Sequence, residues 1–358
     1  MNKKKILVVN PGSTSTKIAV YCGDKSVFLK TLRHSAEEIS RFENIASQFE
    51  FRKEIIVKEL LEADIEIDDF DAIVGRGGMV KPIASGVYEV NEALKADLRR
   101  GVLGQHASNL GGLIADDIAK NIEGARAFIA DPVVVDELQD VARITGHPDM
   151  PRRSIFHALN QKAVAKRFAK EVEKKYEDLN VIVAHLGGGI SVGAHLKGKV
   201  VDVNNALDGY GPFSPERAGT LPTGALIDAC FSGKYSYEEM RKFVNGKGGL
   251  VAHLGTNMAS EVEKKAAEGD PHHKLIHSAM AYQIGKTIGG CAAVLKGQVD
   301  GIIITGGIAY DKILVEYLKD MIGWLAPVKV YPGEDEMWAL AENGLAVLNG
   351  EVSCKTYE

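Results

Sequence analysis

Chemistry is densest at residues 10–17, Asn-Pro-Gly-Ser-Thr-Ser-Thr-Lys, where an amide, four hydroxyls, a glycine and an ammonium group fall in one short stretch. Glycine lets the backbone double back, so the N–H groups and hydroxyls of such a loop can face a single anion. Lys17 adds a full positive charge. The set suits phosphate oxygens; the plainer alternative is an ordinary Ser/Thr-rich hairpin turn. It is not a Walker loop, which ends in Gly-Lys-Ser/Thr and opens a helix. Here Lys17 leads into a second apolar run at 18–21, so the anion would sit on a β-hairpin.

The unit recurs. An apolar run at 181–185 is followed by Leu186-Gly187-Gly188-Gly189-Ile190-Ser191, a further run to 196, a Lys-Gly-Lys turn at 197–199 and a third run at 200–203. At an offset of 175 residues Gly12 falls on Gly187, and the turn glycine Gly23 falls on Gly198. So long an offset signals a duplicated domain rather than a solenoid. Two such loops facing each other would hold both ends of a polyphosphate. Other reactive groups stand where strands give way to loops. Arg76 lies in Gly75-Arg76-Gly77-Gly78, either reaching for an anion or resting in a surface turn. Asp131 precedes Pro132, and either faces a cleft or caps the turn. Arg217 follows a glycine-rich loop, and Gly306-Gly307 ends an apolar run. A lone histidine such as His106 is more often a structural hydrogen-bonder than a catalyst.

These groups need elements to hold them. The chain of 358 residues suffices for two cores. Its 45% hydrophobic and 25% charged residues are those of an ordinary soluble globular protein. A net charge of −5 without a basic stripe speaks against a nucleic-acid partner. The first apolar run is too short for a signal peptide or membrane helix, so a cytoplasmic protein without a membrane role is expected. Cys22, Cys230, Cys291 and Cys354 are widely separated and read as reduced thiols. Strands are expected at 26–32, 71–74, 127–130, 301–304 and 328–331. Helices are expected at 35–63, 110–119 (capped by Ser108 or Asn109), 154–176, 224–231, 236–244, 275–295, from about 311, and 335–348, with a loop at 247–250. The domain change is placed at the helix beginning at 154, giving one domain of 1–153 with 340–358 and another of 154–339.

In this order the pieces resemble the acetokinase family within the actin-like ATPase superfamily. The likeness covers essentially the whole chain. It rests jointly on the opening NPGSTSTK, Gly75-Arg76-Gly77-Gly78, the runs 131–137 and 154–162, Ala184-His185-Leu186-Gly187-Gly188-Gly189-Ile190-Ser191, the stretch 202–222 and Thr305-Gly306-Gly307. It implies an α/β fold of two duplicated ribonuclease-H-like domains with a central cleft, binding ATP and Mg²⁺. The implied activity is reversible transfer of the γ-phosphoryl group to a short-chain carboxylate, giving an acyl phosphate and ADP. The resemblance points to butyrate as acceptor, with acetate, propionate or a branched-chain acid as alternatives within the family, and to a homo-oligomer. Asn10, Ser13, Ser15 and Lys17 match the first phosphate loop, and Gly187, Gly188 and Gly189 the second. Arg76 and Arg217 match the arginines at the transferred phosphoryl group, Asp131 the cleft aspartate, and His106 and His185 the active-site histidines. Gly306 and Gly307 match the adenosine loop. Asn10, Asp131 and Glu336 would serve the metal, with Glu334 or Asp335 as alternatives to Glu336. One departure stands out: Met258 and Ser260 occupy places where the family shows Asp and Arg near the ribose, leaving Asn257 as the polar group there.

The chemistry agrees with those roles. A carboxylate acceptor is already anionic at neutral pH, so it needs no general base. Its difficulty is repulsion from a polyphosphate, which guanidinium forks relieve. Val87, Val133, Val134, Ala158, Leu207 and Phe213 are candidates for lining a small apolar acyl pocket. A sugar kinase with Asp131 as base, or an actin-like ATP-driven binding protein, are the competing classes.

Overall fold

The computed structural model describes residues 3–358. The chain groups into two compact units, Met1–Val135 with Asp335–Glu358, and Asp136–Glu334.

In the first unit, β1 (Lys5–Pro11), β2 (Ser15–Cys22), β3 (Lys25–Arg33), β4 (Ala72–Arg76), β5 (Val87–Glu89) and β6 (Arg126–Ala130) form one sheet in the order β3-β2-β1-β4-β6-β5. The hairpin strands β1–β3 are antiparallel, and β1, β4 and β6 are parallel. The run from Ile6 to Val9 is fully buried, as a strand covered on both faces must be. The covering elements identify themselves by close approach. A Cβ on Gly75 would lie 2.1 Å from Gly111 O, and one on Gly344 would lie 2.6 Å from Val74 Cγ2. Residues 74 and 75 point to opposite faces. The helices Asn109–Ala119 and Glu336–Leu348 therefore cover opposite sides of β4.

The second unit repeats the plan. β7 (Asn180–Leu186), β8 (Ile190–Leu196), β9 (Lys199–Val203), β10 (Gly301–Gly306) and β11 (Val328–Pro332) are ordered β9-β8-β7-β10-β11 from one edge, with the same antiparallel and parallel pairings. This is the duplicated ribonuclease-H-like arrangement expected from the sequence, with β5 as an addition to the first copy. The register corrects one detail. Gly23 and Lys197 are the first residues after β2 and β8, both left-handed (φ +60° and +50°), so Gly23 corresponds to Lys197 rather than Gly198. The second glycine loop is one residue shorter.

Other boundaries moved for identifiable reasons. The stretch 35–63 is not one helix: Ala36–Ser40 and Phe49–Glu62 are separated where Asn44 and Ser47 bond each other's backbone. The helix expected from 154 begins at Ala158, and the long helix starts at Pro271, one turn early, where Asp270 accepts from His273 N–H. Residues 249–254 are helical. Neither Ser108 nor Asn109 caps the helix that follows: the Ser108 hydroxyl is taken by His106, and Asn109 Oδ1 accepts from Met79 N–H. Residues 136–153 group with the second unit, where Asp136 pairs with Arg143, Glu137 with Lys162 and Arg152 with Asp202. Residues 335–339 group with the first. Among the described residues no helix is long and apolar enough to cross a membrane.

Candidate active site

Strand register places the first group of reactive residues in a row. Lys17 on β2 lies directly opposite Asn10 on β1, so their side chains share a face. Val9 pairs with Gly75 on β4, which makes Arg76 the next cross-strand neighbour of Asn10. The Asn10 amide donates to Glu336 Oε2 at 2.9 Å, and the Arg76 guanidinium pairs with the same oxygen. Three residues assigned separately from the sequence are thus in direct contact, with one carboxylate serving two donors. Lys17 is exposed and has no ion-pair partner among the described residues.

The loop between β1 and β2 closes on itself through Gly12 N–H to Ser15 O at 2.7 Å. Beneath it lies Arg52, a fully buried arginine that sequence reasoning missed. Its guanidinium donates to Gly12 O, Ser13 O, Ser15 O and the Thr16 hydroxyl at 2.8–3.2 Å, and to Gln48 Oε1. The available signal was its spacing: Gln48, Arg52, Ile56 and Leu60 recur every four residues, which places a cation on the apolar stripe.

Asp131 follows β6 with φ +37°, an unusual conformation for a non-glycine residue and of a kind that gathers at functional sites. Its Oδ1 accepts from the Ser85 hydroxyl at 2.6 Å and from Gly86 N–H at 2.8 Å. It therefore holds the 85–86 turn of another segment rather than the turn at Pro132. His106 is exposed; its Nδ1 accepts from Ser108 N–H, which leaves the ring proton on Nε2.

In the second unit His185 occupies the place that Asn10 has in the first. It pairs with Ser191 on β8 and Thr305 on β10, so the row Ser191–His185–Thr305 matches Lys17–Asn10–Arg76. His185 Nδ1–H donates to Asn160 Oδ1 at 2.8 Å. Its Nε2 sits 3.0 Å from Glu334 Oε1 but without hydrogen-bond alignment, so the contact is an ion pair only when the ring is protonated. His157 stacks on the ring at 3.8 Å and 12°, and its Nδ1 meets the Ser191 hydroxyl at 2.8 Å. Gln161 links Ser191 onward to the buried His195, itself bonded to Tyr176. Burial, then Lys162, drives the His195 pKa well below the usual histidine value. His157 lay within the quoted 154–162 run, without a role.

Arg217 is held under the second glycine loop. A Cβ on Gly189 would come within 1.7 Å of its Nη1, so only glycine leaves the guanidinium room. That nitrogen donates to Ala206 O, while Nε is buried with no hydrogen-bond partner among the described residues. Burial pulls its pKa below the ordinary arginine value. Arg217 lines a narrow pocket with Leu207 and Ser214, whose hydroxyl donates to Gly188 O at 2.6 Å. Among the acyl-pocket candidates, Leu207 is at this pocket; Phe213 is buried against His253, and Val87, Val134 and Ala158 are buried. Gly306 forms a two-way backbone bridge with Gly333, and a Cβ on Gly307 would meet only open space. Asn257 donates to Glu216 Oε1 at 2.6 Å, next to Arg217.

No group of three or more His, Cys, Asp or Glu side chains that could cage a metal occurs among the described residues. A hydrated Mg²⁺ brought on phosphate oxygens takes only one or two carboxylates and needs no such cage. Glu336, beside Asn10, offers such an oxygen; one Asp131 oxygen is already committed to the 85–86 turn. Asp335 caps the helix at Trp338 N–H, and Glu334 faces His185.

A sequence model described as the acetokinase family matches residues 149–323. Butyrate kinase 2 and butyrate kinase 1 of Clostridium acetobutylicum are 57% and 58% identical to this chain, over 99% of it in each case and 100% and 99% of their own lengths. The acetate kinase of Porphyromonas gingivalis superposes with a TM-score of 0.79 at 20% identity, covering 96% of this chain and all of its own. A propionate kinase from Francisella tularensis gives 0.73 at 19%, covering 95% and 98%. At such identities the structural likeness is one of fold.

Proposed function

We propose that this chain, which belongs to the acetokinase family, is a butyrate kinase: it transfers the ATP γ-phosphoryl group reversibly to butyrate, giving butanoyl phosphate and ADP. The observation that carries this reading is the near-full-length identity to two butyrate kinases. The side chains support it. The acceptor is already an anion, so the work is charge neutralisation and positioning rather than proton abstraction. Arg76 and Arg217 bind the carboxylate and the phosphoryl group in flight. Asn10, Ser13, Ser15, Lys17 and the 187–189 glycines hold the nucleotide phosphates, while Gly306, Gly307 and Asn257 serve the nucleoside. His185 presents its Nε2 edge, and His106 its Nε2–H, to phosphoryl oxygens. Magnesium bound with the nucleotide would neutralise phosphate charge, held by Glu336 and Asn10 and through water by Asp131. We place the enzyme in the cytoplasm as a homo-oligomer.

A sugar-kinase chemistry would need Asp131 as base through Oδ2, since Oδ1 is taken by Ser85 and Gly86, whereas two arginines suit an acceptor that is already an anion. The test is hydroxamate formation from ATP, hydroxylamine and acids of two to six carbons, with a hexose as control acceptor. The expected result is a kcat/KM maximum at butyrate. One methylene is worth only about 1–3 kcal/mol, so neighbouring acids should react measurably. Activity on the hexose alone would sink the reading.

A further inference from the structure

Among the described residues Arg52 is a cation with no anion partner. All its acceptors are neutral: three loop carbonyls, one hydroxyl and one amide oxygen. Yet it is fully buried, where an unpaired charge is ordinarily avoided. The carbonyls explain how it is retained. Gly12 O, Ser13 O and Ser15 O turn inward to the guanidinium, and Thr14 O accepts from His34 N–H at 2.9 Å. A planar trans peptide that turns its C=O inward turns the following N–H outward. Ser13 and Thr14 N–H therefore face away from Arg52.

We propose that Arg52 is a positioning residue of the first phosphate loop, and that its uncompensated charge is completed by the polyphosphate bound on the loop's other side. This rests on the loop binding phosphate, as inferred above. The loop then acts as a thin polar layer between a buried cation and an external anion. Its peptide dipoles are aligned by the first and point at the second. Two facts accompany this placement. Burial, then the charge of Arg52, holds His34 below its usual pKa, so the neighbouring imidazole does not add a competing cation. The two side chains on the guanidinium, the Gln48 amide and the Thr16 hydroxyl, are both neutral where a carboxylate could have stood.

Gln48→Glu tests the charge apart from the shape, since it is isosteric and keeps an acceptor for Nε and Nη2. Calorimetric titration with inorganic tripolyphosphate should give a Kd raised about tenfold over wild type, about 1.4 kcal/mol, with Tm unchanged or higher and the KM for butyrate within twofold. Gln48→Ala, which loses the hydrogen bonds and keeps the charge, should lower Tm and hold Kd within about threefold. Arg52→Lys should behave like Gln48→Ala and decides the matter if Gln48→Glu does not fold. Equal affinity in Gln48→Glu and wild type, or a loss in Arg52→Lys as large as the tenfold expected for Gln48→Glu, would overturn the electrostatic role while leaving the loop a phosphate site. A wild-type protein that does not bind tripolyphosphate would remove both.

Discussion

Burial disfavours the charged form of the Arg217 guanidinium, and its Nε–H finds no acceptor among the described residues. A buried unsatisfied donor costs about 1–3 kcal/mol, which an arriving anion recovers by accepting the bond. Arg76 is in the opposite condition, already paired with Glu336. An anion binding at Arg217 would supply a missing acceptor, whereas one binding at Arg76 would displace a carboxylate. Replacing Arg217 by Ala is expected to lower kcat by at least ~100-fold, the scale of a lost electrostatic donor. Steady-state rates from ATP and butyrate check it, and near-normal turnover would remove Arg217 from the chemistry.

Each hairpin loop lies over an arginine from another element: Arg52 from the helix Phe49–Glu62, and Arg217 from the segment bridged to Asn245. The duplicated strand order puts Asn10 and His185 at equivalent strand ends, so one architecture presents an amide in one copy and an imidazole in the other. Loop and arginine in the second unit are coupled by space alone. Gly189→Ala would place a methyl on Nη1, and because that nitrogen ends a flexible side chain, the guanidinium rather than the backbone should give way. The expected outcome is a kcat reduced at least tenfold with a urea midpoint close to wild type. Adding it to Arg217→Ala should bring little further loss, since both remove one feature. A loss of stability without a loss of rate would show that the backbone moved instead.

For the molecule as a whole, buried imidazoles set the acid limit. His195 and His34 are held below the usual histidine pKa, chiefly by burial and then by Lys162 and Arg52 respectively. When the chain unfolds, each can bind a proton near pH 6.5 that its folded site refuses. Stability from these groups is therefore full above about pH 6.5 and falls as pH drops below it, by at most about 1.4 kcal/mol per pH unit per group. Carboxyls add a second stage. Against the upward pull of burial, hydrogen bonds from Tyr357 and Lys81 keep Asp97 low, and those from Lys120 and Lys53 do the same for Asp117. Their contribution is present above the unfolded carboxyl value of about 3.9 and disappears as pH falls through the lower folded one. Urea unfolding at pH 8, 7, 6 and 5 should show a plateau followed by a decline beginning near 6.5, shallower in His195→Asn. Stability that rises from pH 7 to pH 5 would contradict the assignment.

The order and type of residues along the chain determined the two hairpin repeats and most of the strands, because a β-hairpin with a glycine loop is a local pattern. It also marked Asn10, Arg76 and His185 as strand-end residues. What the tertiary structure alone decided is the set of partners. Asn10 meets Glu336, 326 positions away, and Arg52 reaches Gly12 across 40. Periodicity states which face of an element is buried, but only the packing of that element states against what. A charge on an apolar stripe, as at Arg52, reads as an exception in one dimension and becomes a support for a loop in three.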